Sequence, residues 1–182
     1  MALQKAMVSS KTNEWSTPQD LFDRLNEEFH FSLDPCSTHE NKKCSTYYTI
    51  EDDGLSKDWT GHSVFMNPPY GGHTGEWIAK AWGESLKGAV VVCLIVSSTD
   101  RSYWHEYIFP YASQIRFIRG RLKFGGVKNT APFASAIVVF DNSTSFEKFR
   151  DYAYRVKHSQ RTEIPDSKLL EMRLSRKSPS KS

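Results

Sequence analysis

The tetrapeptide Asn67-Pro68-Pro69-Tyr70 brings together groups that could hold and activate an amine. Adjacent prolines lack backbone N–H donors, so the carbonyl groups of this stretch are left to accept hydrogen bonds. The Asn67 side chain adds an amide oxygen that also accepts, and the Tyr70 ring adds a flat aromatic face. Such acceptors beside an aromatic ring suit a planar group with an exocyclic amine, such as adenine. Accepting both amine hydrogens pulls the nitrogen toward sp³ geometry and frees its lone pair to attack a methyl donor.

The elements that must position this tetrapeptide follow from the apolar pattern of the chain. It comes directly after the apolar run 63–66 and before Gly71-Gly72, so we expect it at the end of a buried strand. Further strands are predicted at residues 29–33, 47–50, 89–96, 114–118 and 135–140. Helices are predicted after Ser16-Thr17-Pro18 and at residues 77–86, 102–111 and 146–156.

The order of these elements predicts the fold class. Strands that alternate with helices indicate a doubly wound α/β sheet, and the continuous apolar run 89–96 is typical of a strand in a parallel sheet. Such sheets bind ligands beyond the carboxyl ends of their strands. The tetrapeptide lies at one of these ends, so the sequence predicts a ligand site there.

Length and composition describe one domain with a mildly basic charge. The chain has 182 residues, of which 38% are hydrophobic and 13% aromatic, and a net charge of +3 that permits nucleic-acid binding without requiring it. No apolar run suits a membrane span or a signal peptide, so we expect a soluble, cytoplasmic protein with no membrane partner. We predict a flexible leader at 1–13, a domain at 14–157 and a disordered, basic tail at 158–182.

The cysteines do not indicate a metal site. Cys36, Cys44 and Cys93 are an odd number, and reduced thiols are expected in a protein of the cytoplasm. Cys36, His39 and Cys44 match no common zinc spacing and have no evident fourth ligand. We therefore expect no bound metal and interpret this segment as a compact loop with buried thiols.

The order of the motifs resembles that of the small phage-type DNA N-6-adenine methyltransferases, the Dam-like family of S-adenosylmethionine-dependent amino methyltransferases. The motifs that carry the resemblance are Thr17-Pro18, Asp34-Pro35-Cys36, Asp52-Asp53-Gly54-Leu55, Asn67-Pro68-Pro69-Tyr70, the apolar strand, Gly120-Arg121-Leu122-Lys123-Phe124 and the last strand. They span roughly residues 13–141. The resemblance implies a compact, single-domain Rossmann-like methyltransferase fold, S-adenosyl-L-methionine as cofactor and DNA as partner. If a phage encodes the protein, the host bacterial cytoplasm is its location.

Three segments are implied to bind the cofactor. Thr17 and Pro18 precede a helix whose first amides, with the Thr17 hydroxyl, would receive the methionine carboxylate. Asp34, followed by Pro35 and Cys36, would accept from the amino group of the donor. The acidic segment Asp52-Asp53 would accept from the adenosine amine, with Asp53 the better candidate. The Gly-x-Gly turn that the family has after its first strand is absent here.

The catalytic and DNA-binding roles are also implied by the resemblance. Asn67 and the Pro68 carbonyl would hold the amine, and Tyr70 would stack on the base. Because a paired adenine must leave the duplex to react, a second aromatic residue is expected, Phe124 with Phe133 in reserve. The basic residues expected to contact phosphates are Arg119, Arg121 and Lys123.

Each motif also has a purely structural interpretation. The tetrapeptide could be a turn at a strand end, Thr17-Pro18 a helix cap, Asp53-Gly54 a turn and Phe124 a core residue. The function has alternatives too. The same tetrapeptide occurs in enzymes that methylate the N5 amide of a protein glutamine or a base in RNA, and a non-catalytic, DNA-binding relative of the fold would keep the same elements.

Overall fold

The described part of the chain is built on a central β-sheet with helices on both faces. A computed structural model describes residues 15–125 and 130–142. Its strands are β1 Leu33–Asp34, β2 Thr46–Tyr47, β3 Ser63–Met66, β4 Val90–Val96, β5 Gln114–Phe117 and β6 Ser135–Phe140. Its helical elements are α1 Gln19–Phe29, a 3₁₀ turn at Gly54–Ser56, α2 Thr74–Ser85, a π-helical turn at Trp104–Ile108 and the short α3 Phe109–Tyr111.

The described strands form a six-stranded sheet in the order β2-β1-β3-β4-β6-β5. Strand β1 pairs in parallel with β2 and β3, and β3 pairs in parallel with β4. Strand β6 is antiparallel to both β4 and β5. The run 89–96 was predicted to lie in a parallel sheet, and this prediction is wrong for its neighbour β6. An apolar run indicates that both faces of a strand are buried, and this burial does not depend on the direction of the neighbouring strand.

Two helical layers bury the two faces of the sheet. Along β4, Val91, Cys93 and Ile95 pack into one core, and Val92, Leu94 and Val96 pack into the other. Helix α1 covers the second core with Leu21, Phe22 and Leu25, whereas α2 and the π-helical turn cover the first with Trp77, Ile78, Ala81, Trp104 and Ile108. Burial of each large apolar side chain contributes about 1.5–3 kcal/mol, so these two layers fix the strand ends where the site lies.

A buried carboxylate anchors the carboxyl end of α2. Glu84 is almost fully buried, and its Oε1 accepts hydrogen bonds from Lys80 Nζ and Lys87 Nζ at 2.8 Å each. Its Oε2 accepts the Trp59 backbone N–H at 2.8 Å. Because the charge is paired and hydrogen-bonded, its burial is tolerated, and the contact holds Trp59 against α2.

The first two strands are shorter than the sequence pattern predicted. The predicted strand 29–33 is wrong at its start, since Phe29 ends α1 and His30, at φ 51, donates its N–H to the Asn26 carbonyl. The predicted strand 47–50 is reduced to Thr46–Tyr47. It stops because the Thr49 N–H and hydroxyl both donate to Asp52 Oδ2 at 2.9 Å and close a turn.

The later elements agree better with the sequence. The strands predicted at 63–66 and 135–140 are confirmed at both ends, and the helix predicted at 77–86 begins three residues earlier. The leader 1–13, the helix predicted at 146–156 and the tail 158–182 lie outside the described residues. None of the helices within 15–125 and 130–142 combines the length and apolar character needed to cross a membrane.

Candidate active site

The path of the chain across the sheet creates a crevice between β1 and β3. From β1 the chain moves outward to β2, and it then returns past β1 to form β3 on the other side. In open α/β sheets, the carboxyl ends of two such strands leave a ligand-binding crevice. Asp34 is the last residue of β1 and Asn67 directly follows β3. The crevice therefore has a carboxylate on one side and an amide on the other.

A cleft of about 400 Å³ opens at this crevice. It brings together predicted site residues from four separate segments of the chain. Those that line it are Thr17, Asp34, Pro35, Cys36, Asp53, Asn67, Pro68 and Pro69. Thr17 and Asn67 are fifty residues apart in sequence, and the fold brings their side chains within hydrogen-bond distance.

The Asn67 side chain is oriented by the segment that precedes α1. Its Nδ2 donates to the Trp15 carbonyl at 2.6 Å and to the Thr17 hydroxyl at 3.0 Å. These acceptors use the amide hydrogens, so the orientation of Oδ1 is fixed. Asn67 Oδ1 is buried and has no hydrogen-bond partner within the described residues. Burying an acceptor without a donor costs about 1–3 kcal/mol. A hydrogen bond from a ligand N–H group to this oxygen would relieve that cost.

Asp34 supplies a buried carboxylate to the same cleft. Its Oδ2 accepts the Lys43 backbone N–H at 3.0 Å, and its Oδ1 accepts the Cys36 backbone N–H at 3.5 Å. Burial raises the pKa of Asp34 to about 6, because desolvation outweighs these hydrogen bonds and the charge of Lys43. At neutral pH the carboxylate is ionised and poorly solvated, so a cationic ligand group would stabilise it.

A glycine brings the second acidic segment against the first. A Cβ atom at Gly54 would lie 1.9 Å from the Pro35 carbonyl oxygen, so the observed approach requires a residue without a side chain. The Gly54 carbonyl accepts from Trp59 Nε1 at 3.0 Å, and Asp53 at φ 53 lines the cleft beside it.

Comparison with known proteins assigns this chain to a family. The family model described as DNA N-6-adenine-methyltransferase (Dam) matches residues 4–159. The chain belongs to the Dam family.

Individual Dam-family relatives match shorter stretches. The DNA N-6-adenine-methyltransferase of Haemophilus phage HP1 is 27% identical over 106 residues, which cover 57% of this chain and 61% of the relative. The DNA N-6-adenine-methyltransferase of Escherichia phage T1 is 34% identical over 58 residues, 31% of this chain and 24% of the relative. YfdM of Escherichia coli strain K12, named as a methyltransferase, is 38% identical over 65 residues, 32% of this chain and 71% of the relative.

The three aromatic residues that were predicted to stack on the target base lie together in a buried cluster. Tyr70, Phe124 and Phe133 are exposed to only 5%, 1% and 3%. The Tyr70 ring meets Phe124 at 6.2 Å and Phe133 at 5.3 Å, nearly perpendicular to both, and its hydroxyl lies 3.5 Å from the Leu94 carbonyl. None of the three is among the described residues that line the cleft.

Two predicted cofactor residues also lie outside the described cleft lining. Pro18 occupies the N-cap position of α1, where its carbonyl accepts the Phe22 N–H at 3.1 Å. The Asp52 carboxylate is exposed and closes the turn with Thr49, and these hydrogen bonds hold the pKa of Asp52 below its usual value. The acidic pair is therefore divided, with Asp53 at the cleft and Asp52 in the turn.

The basic segment after β5 is exposed, and its last residue is hydrogen-bonded to a residue that lines the cleft. Arg119, Arg121 and Lys123 are all exposed. At the end of this segment, Gly125 pairs with Ser16 and donates its N–H to the Ser16 carbonyl at 2.7 Å. The segment is thus hydrogen-bonded to the stretch that orients Asn67.

Trp15 and Ser37 are among the cleft residues that the sequence analysis did not identify. Trp15 is half-buried, lines the cleft and contacts Phe124 and Phe133 with ring centroids 5.3 Å apart in each case. Ser37 also lines the cleft, and its Oγ is buried without a hydrogen-bond partner within the described residues. The position of Trp15 directly before the helix cap is a signal that could have found it. Ser37 has no such signal, because its burial depends on the fold.

The Cys36 region shows ordinary side-chain contacts. The three cysteines are free thiols, and His39 Nδ1 is 2.9 Å from the Tyr47 hydroxyl. Over residues 15–125 and 130–142, no three or more His, Cys, Asp or Glu side chains are grouped so that they could hold a metal ion. The thiols instead pack with the surrounding apolar side chains.

Proposed function

We propose that this chain transfers a methyl group from S-adenosyl-L-methionine to N6 of an adenine that has left the DNA helix. The observation that carries this proposal is the buried Asn67 Oδ1, which faces no donor among the described residues and belongs to a cleft-lining side chain. Membership of the Dam family supports the reaction, and two relatives carry the name of this activity. The chain matches about three fifths of the HP1 relative, so the activity is inferred from the site as well as from that name.

The acceptors of the cleft would fix the reacting amine. Asn67 Oδ1 would accept one amine hydrogen, and the carbonyl of Pro68, which also lines the cleft, would accept the other. Trp15 and Thr17 hold the Asn67 amide from behind, so the acceptor is positioned before substrate arrives. With both hydrogens held, the nitrogen lone pair points away from the acceptors. The proton that the amine then loses would pass to solvent.

The polar groups of the cleft fit the methyl donor. S-adenosyl-L-methionine supplies a methyl group on a positively charged sulfur and carries an ammonium, a carboxylate and an adenosine. The buried Asp34 carboxylate would hold the ammonium, because it is ionised above pH 6 and short of solvation. Thr17 and the first amides of α1 would hold the carboxylate. Asp53 and the unpartnered Ser37 Oγ are two further polar groups at the cleft that could contact the adenosine.

The exposed basic segment would bind the DNA backbone. Arg119, Arg121 and Lys123 offer three cations that could contact phosphates without reading sequence. The hydrogen bond from Gly125 to Ser16 joins this segment to the residues behind Asn67. Phosphate binding here would therefore hold the DNA beside the cleft, where an extruded base can reach the acceptors.

The direct test is to incubate the protein with methyl-labelled donor and unmethylated DNA, and to analyse the digested nucleosides. N6-methyladenine carrying the label is the expected product. The proposal fails if label is absent from adenine while a known adenine methyltransferase in the same mixture is active. RNA and a glutamine-containing protein acceptor, assayed in parallel, would reveal the alternative amide and RNA substrates.

Asn67→Ala tests the observation on which the proposal rests. It removes one positioned acceptor, and we expect methyl transfer to fall by about 10²–10³-fold. Asn26→Ala is the matched control, because Asn26 Oδ1 accepts the Phe31 N–H at 2.8 Å and Asn26 is not among the described residues that line the cleft. The control should lose some stability and keep its rate. Equal rates for both variants would contradict a catalytic role of Asn67.

A further inference from the structure

Four neighbouring aromatic residues near the cleft differ in their exposure to solvent. Tyr70, Phe124 and Phe133 are at least 95% buried, whereas Trp15 is half-buried and lines the cleft. The Trp15 ring contacts Phe124 with an interplanar angle of 65° and Phe133 with one of 83°. Phe124 and Phe133 therefore support the Trp15 ring, and Trp15 is the member of this group of four rings that a ligand in the cleft can reach.

We propose that the target adenine stacks on the indole of Trp15, whose ring packs against Phe124 and Phe133. This inference rests on the proposed methylation of adenine in DNA. The Trp15 carbonyl already orients Asn67 through the 2.6 Å hydrogen bond, so one residue sets both the acceptor and the adjacent aromatic wall. Stacking on an indole suits a purine, because both are large planar π systems.

The backbone and side-chain roles of Trp15 can be separated by mutation. Trp15→Leu removes the ring and leaves the carbonyl that accepts from Asn67 Nδ2. A change confined to the ring therefore leaves the catalytic acceptor oriented. If the target base stacks on the indole, Trp15→Leu should weaken binding of DNA that carries this base more than binding of DNA that lacks it.

The experiment measures DNA affinity with S-adenosyl-L-homocysteine present, which cannot donate a methyl group. One duplex carries the target adenine, identified by mapping the sites that the wild-type protein methylates, and the other has an abasic position there. In Trp15→Leu the ratio of adenine-duplex to abasic-duplex affinity should fall by about 5–150-fold relative to wild type. The free energy of extruding the base is a property of the DNA, so it cancels when the affinity ratio of the variant is divided by that of the wild type. Trp15→Phe should retain most of the ratio.

Phe140→Leu is the matched control, since it truncates a fully buried ring in the core on the other face of the sheet, outside the described cleft lining. It should lower the melting temperature and leave the affinity ratio unchanged. An unchanged ratio in Trp15→Leu, or an equal fall in Phe140→Leu, overturns the role of Trp15. If unfolding curves show that Trp15→Leu is not folded, Trp15→Met provides the ring deletion. If the wild-type protein methylates no duplex, the proposed function itself is contradicted. If it methylates DNA but the affinity ratio does not depend on the Trp15 ring, only the role of Trp15 is contradicted.

Discussion

Replacing Gly54 by alanine would test whether backbone contact between two loops shapes the cleft. The added Cβ would lie 1.9 Å from the Pro35 carbonyl oxygen and 3.2 Å from the Trp77 ring. Real Cβ contacts are essentially never shorter than 3.0 Å, so the loops must separate by at least about 1 Å. The clash is with backbone, which cannot rotate away as a flexible side chain can.

We expect Gly54→Ala to lower the free energy of unfolding by about 2–3 kcal/mol, as overpacked cores do. For a domain of this size that corresponds to a fall of about 5–10 °C in Tm. Because Pro35 and Asp53 line the cleft, the affinity for S-adenosyl-L-methionine should fall as well, by about tenfold or more, measured by calorimetry.

Gly83→Ala is the matched control for this change. Gly83 lies within α2, and a Cβ there would meet nothing within 4 Å. It should therefore gain about 0.5–1 kcal/mol from the better helix propensity of alanine and keep wild-type donor affinity. Wild-type Tm and donor affinity in Gly54→Ala would refute the reasoning, because the loops would then separate without cost and the contact would not shape the site.

Three further outcomes are expected. Burial raises the pKa of Asp34 to about 6, so donor affinity should rise between pH 5 and 7.5. Because this pKa lies above the ordinary value of 3.8, the fold should lose stability as the pH rises from about 4 to 6, and the full loss remains at higher pH. Asp34→Asn should abolish both pH dependences and raise stability in urea at pH 8 by about 1–2 kcal/mol. Thr17→Val removes a hydroxyl 3.0 Å from Asn67 Nδ2 and should lower kcat by about 3–10-fold with no loss of folding, and an unchanged kcat would contradict its orienting role. Changing Arg119, Arg121 and Lys123 together to alanine should reduce the slope of log affinity for DNA against log salt by about 2–3, and an unaltered slope would place the phosphates elsewhere.

The sequence predicted best those site residues whose position depends on local structure. Asp34 ends β1 and Asn67 directly follows β3, and the end of a strand is visible in the sequence as the edge of an apolar run. The crevice between them follows from the strand order, which the alternation of elements indicates only in outline. Thus both groups could be assigned to a ligand site before their separation in space was known.

Side-chain direction could not be predicted in the same way. Tyr70 immediately follows Pro69, which lines the cleft, yet its ring packs into the core beneath Phe133. A sequence motif fixes which residues are adjacent, whereas the orientation of a ring depends on the tertiary packing around it. Gly54 shows the same limit, because its need for a glycine arises from a loop nineteen residues earlier in the chain.

The reversed direction of β6 affects how this fold could diversify. Strand β5 runs in the same direction as β4, and β6 returns between them, so β5 ends and β6 begins at the edge of the sheet where the cleft lies. Residues inserted into the connection between them would extend this edge without shifting any strand register. Under the function proposed above, a change in which DNA sequences are favoured could therefore evolve by lengthening one loop, with the hydrophobic layers left as they are.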